Sequence, residues 1–478
     1  MQNDNVQTSL SDVYEDMCQS VEEEKPKFLR LLKEHIKLEA LIPSEFYTAF
    51  NKDIGRPRDY SLESLIWFHQ LKNIIGIPRD KAFLTVLEFS AELREFCGFE
   101  KLPAASEITR FRQDFAEYLV IMFECLVELT EPICRAIDPK KADYLIYDPT
   151  GIKAYVAENN PKFLNSKLTQ AKTFAKKNPA YDPYKGVYSL LPETAKSNPD
   201  VKHQFINGHF CYAHKAGILA NAIGVVRHIS FFDGDFRAKH PETNFQKSDS
   251  PDLDKEIADS ISLKPVLSDF FNAHPTFSYK TFIGDASFDS YDNYTILHDD
   301  FKFSRICIPI NPRNSSSAHT DFDMNGTPLC SIDKTPFTFL GISDEKNRSA
   351  RFKWVCHKSY KLHPHSSIRV CICSKSPCTT STYGRCVYTY PSKNLRLYPG
   401  IPRGTEHWDN LYKHRTLVER TINILKDDFG VAHRRAFSHI TAKADIYLAG
   451  ITQLLGVLLA KSINQLNLFK SVRKLISA

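Results

Sequence analysis

The sequence predicts a mixed α/β protein that begins with an all-helical domain. From Lys25 to about Ala136, apolar residues recur at the three- and four-residue spacing of amphipathic helices. Apolar or alternating runs, which are typical of strands, follow at 144–148, 205–232 and 280–285. Helical spacing returns at Trp408 and continues almost to the end of the chain. These observations predict a helical domain followed by an α/β core whose last helices come after a long interruption.

The composition is that of a globular protein. The chain has 478 residues, of which 42% are hydrophobic and 25% are charged. This excludes a mostly disordered or collagen-like chain and leaves room for two to four domains at about 100–200 residues each. Lys and Arg number 62 against 56 Asp and Glu. The net charge of +6 is too small to identify a nucleic-acid-binding protein by itself.

The positive charge is concentrated in two segments. Residues 403–478 carry 12 Lys and Arg against 6 acids. Residues 160–205 carry eight lysines against three acids and show little periodicity, which predicts a charged loop. Such a loop either follows a DNA backbone or is simply solvated.

No targeting or membrane segment is expected. The N-terminus lacks a basic region followed by an apolar core, so no secretory signal is visible. The most apolar stretch runs from Ile446 to Ala460 and is shorter than the about 20 residues that span a bilayer. It predicts a buried core helix and a cytoplasmic protein with reduced cysteines.

The helical domain is predicted to have two recognisable helix starts. Ser61 and Ser106 are candidate N-caps, because a serine oxygen can accept from the first free backbone N–H groups of a helix. The helix after Ser106 carries Arg110 and Arg112. We expect Arg110 and Arg112 to contact DNA from a helix that enters a groove, and an ordinary solvated helix is the alternative.

Three acidic residues stand in contexts that suit a metal site. Asp148 and Asp285 each follow an apolar strand, and Glu419 lies in an amphipathic helix. Carboxylates gathered from two strand ends and a helix suit Mg²⁺ or Mn²⁺, and two such ions support in-line phosphoryl transfer. Each acid taken alone is more often a turn former or a solvated residue.

The helix predicted from Leu411 to Gly430 places polar residues on one face. At 100° per residue Tyr412, Arg415, Glu419 and Lys426 share that face beside an apolar stripe. The pattern predicts either a catalytic acid between phosphate-binding cations or a solvated face with an Arg–Glu pair.

These spacings resemble a known signature. Tyr412-x2-Arg415-x3-Glu419-x6-Lys426 resembles the Tyr-Arg-Glu-Lys motif of bacterial insertion-sequence DDE transposases. The segments 147–150 and 283–291 resemble the motifs around the first and second acids of that family, and Gly55 through Arg112 resembles its helical N-terminal domain. The resemblance covers most of residues 50–460.

The resemblance implies a ribonuclease H-like α/β catalytic core, preceded by the all-α domain and interrupted before its final catalytic helix. Asp148, Asp285 and Glu419 would bind two Mg²⁺ ions, while Tyr412, Arg415 and Lys426 would contact DNA near the cut end. The implied division is a flexible N-terminus at 1–24, a DNA-binding domain at 25–137, a catalytic domain at 138–305 and 405–478, and an insertion at 306–404.

The implied activity is DNA transposition. The enzyme would cut double-stranded DNA at the element ends and join the freed 3′-hydroxyl to target DNA, working as a homodimer on DNA and associating with the bacterial nucleoid. Two alternatives remain open. One is an inactive or domesticated derivative that only binds DNA, and the other is a metal-dependent nuclease without strand transfer.

The insertion concentrates the cysteines. Seven of the twelve lie between Cys307 and Cys386. Four thiolates can hold a structural Zn²⁺, and the best ligand set is Cys330, Cys356, Cys373 and Cys378. No two-residue CxxC pair occurs, so a degenerate ribbon whose thiols bind no metal is the alternative.

A basic triplet follows the predicted catalytic helix. His433, Arg434 and Arg435 come directly after its end. They either bind phosphate or stabilise the helix C-terminus electrostatically.

Overall fold

The protein has a mixed α/β fold, as predicted. The computed structural model describes residues 29–51, 57–206, 209–243, 257–314, 321–343, 349–366, 368–373, 379, 381–382, 384–470 and 475. The predicted flexible N-terminus and Cys378 lie outside the described residues.

Helices make up the N-terminal part and recur between and after the strands. Those that matter below are α1 Ser44–Phe50, α2 Leu62–Ile75, α3 Asp80–Phe89, α4 Ala91–Phe96, α5 Ala105–Asp114, α6 Ala116–Ile137, α7 Pro161–Lys177, α8 Gly234–Lys239, α9 Asp259–Ala273, α10 Glu406–Tyr412, α11 Thr416–Asn423 and α12 His439–Ser462. Short helical turns lie at Leu38–Leu41, Pro139–Ala142, Pro183–Gly186 and Tyr291–Thr295.

The strands form one large sheet and two small ones. They are β1 Tyr144–Lys153, β2 Thr194–Ala195, β3 Asn198–Ile206, β4 His209–Asn221, β5 Val226–Phe231, β6 Thr281–Ile283, β7 Arg305–Cys307, β8 Thr338–Ser343, β9 Arg351–Val355, β10 Ser359–Lys361, β11 Arg369–Cys371 and β12 Cys386–Thr389. The seven-stranded sheet has the order β2-β3-β4-β1-β6-β7, with β5 paired to β4. Pairs β1–β6 and β6–β7 are parallel, whereas β2–β3, β3–β4 and β4–β5 are antiparallel.

The chain divides into two compact units. The first unit comprises 1–137, 151–215 and 421–478, and the second comprises 138–150 and 216–420. The domain boundaries predicted from the sequence remain a prediction. Within the insertion, strands β12, β9 and β8 form an antiparallel sheet with its own small core, which includes Phe352 and Trp354.

A buried charge network joins four helices of the first unit. Asp445 on α12 is 1% exposed and accepts from Arg112 at 2.8 Å and from Arg434 at 2.6 Å. Arg112, on α5, also pairs with Asp80 at the start of α3, and Asp80 accepts from Lys72 of α2 at 2.5 Å. Burial alone would raise the pKa of Asp445, but the charges of Arg112 and Arg434 outweigh burial and hold it at about 2.

The prediction that Arg112 contacts DNA is therefore wrong. Its side chain is buried and both ends of its guanidinium fork are occupied by carboxylates of its own unit. Arg110, two residues away, is exposed, and its DNA contact remains a prediction.

One of the two predicted helix starts is confirmed and the other is wrong. Ser61 caps α2, where its side-chain oxygen accepts from the Ser64 N–H. Ser106 lies inside α5, which begins one residue earlier, after the N-cap Ala104. The Glu107 carboxylate accepts from the Ala104 N–H at 2.8 Å, so a glutamate stabilises this helix start.

The charged loop predicted at 160–205 is also wrong in part. Residues 161–177 form the 17-residue helix α7, which starts with Asn160 as N-cap and Pro161 at its first position. Only Ala171 of this helix is buried. Leu164, Leu168, Ala171 and Ala175 recur along it at helical spacing, a signal that the Lys-rich composition of the segment concealed.

The buried core helix predicted at Ile446–Ala460 is confirmed. It lies within α12, which packs against α6, α2 and α5. By length and composition α12 is the one helix in the described part of the chain that could cross a membrane, and 94% of its most apolar window is buried inside the protein.

We predict that Asp445→Asn destabilises the protein strongly. The change leaves Arg112 and Arg434 buried beside a neutral amide, and breaking a buried pair costs about 3–5 kcal/mol. Urea unfolding at pH 7 measures the loss in free energy of unfolding. Because the folded pKa of Asp445 is depressed, its contribution is present above the unfolded pKa and is lost as the pH falls toward 2.

The matched control is Glu117→Gln. Glu117 is a 66% exposed acid that also pairs with α12, through Lys443 at 2.7 Å. An exposed pair contributes about 0–1 kcal/mol. Equal losses in the two variants would contradict a stabilising role for the network.

A candidate carboxylate site at two parallel strand ends

Two aspartates of the second unit lie at the same end of neighbouring strands in the large sheet. In the parallel pair β1–β6, Ile146 lies opposite Ile283. Asp148 comes two residues after Ile146, and Asp285 comes two residues after Ile283. The two aspartates therefore have equivalent positions relative to the strand pair. The carboxyl ends of parallel strands are where α/β proteins commonly bind ligands.

Burial and close packing of Tyr147 fix the part of β1 that precedes Asp148. Tyr147 is 1% exposed and its hydroxyl group hydrogen-bonds the Ser262 hydroxyl at 2.7 Å. Gly217 packs directly against the Tyr147 ring, and a Cβ atom there would lie 2.7 Å from the tyrosine oxygen. A side chain at 217 would therefore displace the tyrosine that precedes the aspartate.

Asp285 is held by its own turn. Its carboxylate accepts from the Ser287 N–H at 2.8 Å and from the Ser287 hydroxyl, and so caps the short 3₁₀ turn at Ala286–Phe288. This contact fixes one carboxylate oxygen in the backbone turn.

Glu419 comes from a helix that is shorter than predicted. The expected continuous helix from Leu411 to Gly430 is interrupted by a 3₁₀ turn at Lys413–Arg415 and a π turn at Ile424–Asp428. Helix α11 lies between them and is anchored by the fully buried Val418. Glu419 accepts from Arg415 at 2.9 Å, and its side chain is 44% exposed.

The remaining signature residues have different surroundings. Tyr412 stacks on Trp408 with ring centroids 4.7 Å apart and hydrogen-bonds Arg415. Lys426 donates to the Gly151 carbonyl oxygen at 2.8 Å, within the first unit. Tyr412 and Arg415 are thus gathered near Glu419, whereas Lys426 is held by a backbone carbonyl.

The three acids and Arg415 share one electrostatic environment. Burial, together with the negative charges of Asp285 and Glu419, raises the pKa of Asp148 to about 7, and Arg415 only partly opposes this. The charges of Asp285 and Glu419 therefore act on Asp148, although these residues come from distant parts of the sequence. Within the described ranges, however, no three His, Cys, Asp or Glu side chains are arranged at metal-binding distances.

A fourth acid was missed by the sequence analysis. Asp259, at the start of α9, also raises the pKa of Asp148. In the sequence it has the ordinary pattern of an acid in the first turn of a helix, so only the fold connects it with the site.

Some of the cysteines of the insertion lie close together. Cys330 and Cys356 are buried in the core beside Trp354, and Cys373 is half-buried. Burial raises the pKa of the Cys356 thiol, and the neighbouring Cys371 and Cys330 raise it further. Two of the predicted zinc ligands are therefore close to each other and to Cys371.

The helical N-terminal segment has a recognisable relative. Residues 17–114 match the family model of a transposase domain, DUF772. This match covers 98 (17 through 114) of the 478 residues and supports a transposase, which is an enzyme that cuts DNA. It ends before the carboxylate site begins. No curated protein matches the chain.

We predict that Asp148→Asn stabilises the metal-free protein at alkaline pH. The folded pKa of about 7 lies above the 3.8 of a free aspartate, so the contribution of Asp148 to stability is fully present below pH 4 and is lost as the pH rises through 7. Asparagine cannot ionise, so the variant should gain up to about 4 kcal/mol at pH 8, at about 1.4 kcal/mol per pKa unit.

Urea unfolding in EDTA at pH 5 and pH 8 measures this difference. The exposed Asp292→Asn serves as control and should show no such pH-dependent gain. A gain for Asp148→Asn that is equal at both pH values would contradict the electrostatic interpretation.

Proposed function

We propose that the protein is a DDE transposase that cuts DNA at the ends of an insertion element and joins them to target DNA. The observation that carries this proposal is the placement of Asp148 and Asp285 on adjacent parallel strand ends, close to Glu419. The transposase-domain match over residues 17–114 supports the same function independently, because it involves a different part of the chain.

The sheet supports a ribonuclease H-like core for this enzyme. Antiparallel β3–β4–β5 pairing followed by the parallel strands β1, β6 and β7 suits such a core, with the acids at the end of β1 and after β6. The proposed core is interrupted by the insertion before the helix that carries Glu419.

The donor set suits Mg²⁺ or Mn²⁺. These ions prefer carboxylate oxygens. Burial and the neighbouring carboxylates raise the pKa of Asp148, and a bound cation would offset both effects. Asp148, Asp285 and Glu419 would hold the ions, and Asp259 would add to the negative field. When bound, the ions supply activation of the attacking oxygen and stabilisation of the leaving oxygen.

The chain's own cations orient the DNA. Arg415 has a guanidinium fork that matches phosphate geometry, and Tyr412 beside it is held against Trp408. Both would contact the backbone near the cut end. Lys426 and Arg110 are further backbone contacts in this proposal, and double-stranded element ends and target DNA are the substrates. Because two ends must meet, a homodimer assembled on DNA is part of it.

We predict that Glu419→Gln abolishes strand cleavage and joining. The amide keeps the shape of the side chain but removes a negative charge from the site. Activity should therefore fall by more than the about 10–100-fold that is typical when a residue supporting a metal ligand is changed. The assay incubates protein with the element's terminal repeats, target DNA and Mg²⁺, and Asp292→Asn is the control.

The product pattern separates the alternatives. Joined products that disappear in Glu419→Gln support transposition. Cleavage without joining would instead show a nuclease, and bound but uncut DNA in wild type and variant would show an inactive DNA-binding derivative.

A structural Zn²⁺ in the insertion is a second proposed metal. The buried neighbours Cys330 and Cys356 support it, with Cys373 and Cys378 completing the proposed ligand set. We expect about one zinc per chain in protein purified without chelator, since four thiolates hold one ion. Cys330→Ser should lower that content, and a wild-type content near zero would contradict the site.

A further inference from the structure

We propose that a basic groove in the first unit, separate from the carboxylates, binds a single strand of DNA. The groove is a cavity of about 640 Å³. Its charged and aromatic lining includes Arg79, Lys153, Tyr155, His433, Arg435 and Phe437, together with the buried Arg434. The proposal rests on the proposed function in that it takes DNA as the partner.

The charge of the groove selects an anionic ligand. Its lining includes four Lys and Arg residues and one histidine, but no Asp or Glu. Arg79, Lys153 and Arg435 are exposed and form no ion pair with a described carboxylate. Two acids adjoin lining residues in sequence. Asp80 pairs with Lys72 and Arg112, and Glu158 is buried and accepts from the Lys196 N–H at 2.8 Å. Several unpaired cations around one cavity suit a ligand with repeated negative charge, such as a phosphodiester chain.

The basic triplet is divided between two roles. Arg434 is buried and forms part of the charge network with Asp445, so its charge is already neutralised within the protein. His433 and Arg435, on either side of it, are exposed in the groove. Arg434 also donates to the Phe429 carbonyl at 3.1 Å, so the interpretation as a helix C-terminal contact fits Arg434. Phosphate binding is proposed for His433 and Arg435.

Two exposed aromatic rings favour unpaired bases over duplex DNA. Tyr155 is 54% exposed and Phe437 is 50% exposed, although both line the same cavity. Arg435 lies over the Tyr155 ring at 5.1 Å. Aromatic faces in a positive groove are the means by which proteins hold single strands, because bases stack on them. A duplex already stacks its bases and is too wide for a cavity of small-molecule size.

The walls of the groove are fixed before any ligand arrives. The Tyr155 N–H donates to the Ala436 carbonyl at 3.1 Å and joins the two walls. The Asn198 side chain donates to the Phe437 carbonyl at 2.5 Å, and the Asn159 side chain donates to the Ala154 carbonyl at 2.8 Å. A preformed groove loses little conformational entropy on binding.

The test measures binding of a labelled oligothymidylate of about 12 nucleotides, and of a duplex of equal length, by fluorescence anisotropy in EDTA. Lys153→Ala/Arg435→Ala should weaken single-strand binding about tenfold or more. The slope of log affinity against log salt should fall by about 1.4, since each phosphate contact to a single strand contributes about 0.7. Phe437→Leu should weaken binding up to about tenfold without changing the slope, because stacking carries no charge.

The control is Lys101→Ala/Lys361→Ala, which removes two exposed lysines elsewhere. Unfolding curves check that all variants are folded. The proposal is overturned if the groove variants bind like wild type, if they lose no more than the control, if duplex binding falls as much as single-strand binding, or if wild-type protein binds no single strand.

Failure of this inference and failure of the proposed function are distinguishable. If the protein cuts and joins DNA but its groove variants bind single strands normally, only the groove proposal fails. If the protein binds single strands through the groove but neither cuts nor joins DNA with Mg²⁺, the groove proposal stands and the transposase proposal fails.

Discussion

The register of one parallel strand pair determines the candidate site. Because Ile146 lies opposite Ile283, the two aspartates that follow are brought to one sheet edge from positions 137 residues apart (285 − 148). A slip of one residue would turn one of the carboxylates to the other face of the sheet. Leu145 and Tyr147 of β1 pack in one buried core with Phe282 of β6, and a slip would separate these side chains from their packing partners.

The two units use buried charge in opposite ways. Around Asp445 two arginines outnumber the carboxylate, its pKa falls, and the ion pairs join helices from distant parts of the chain. Around Asp148 burial and the neighbouring carboxylates outweigh Arg415, and the pKa rises. Excess negative charge in a half-buried place is unfavourable for folding alone, which is typical of sites built for a ligand.

The sequence predicted those parts of the fold whose signals are local. The strands next to Asp148 and Asp285 could be predicted because each is a short apolar run followed by an acid. Helix α7 was missed although Leu164, Leu168 and Ala171 follow helical spacing, because the lysines around them favoured a solvated loop. Arg112 was misinterpreted because its partner Asp445 lies 333 residues away, and no local pattern records such a contact. The proximity of Asp259 was hidden for the same reason.

The ion pair between Arg415 and Glu419 has a consequence for the order of events in the proposed enzyme. In this structure the guanidinium and the carboxylate satisfy each other. A phosphate that draws Arg415 away releases the carboxylate for a cation, and a cation that occupies Glu419 releases Arg415 for a phosphate. The two ligands are then positively coupled, and by reciprocity each increases the affinity for the other by the same factor. Such coupling would keep a DNA-cutting site incompletely assembled until its substrate is present.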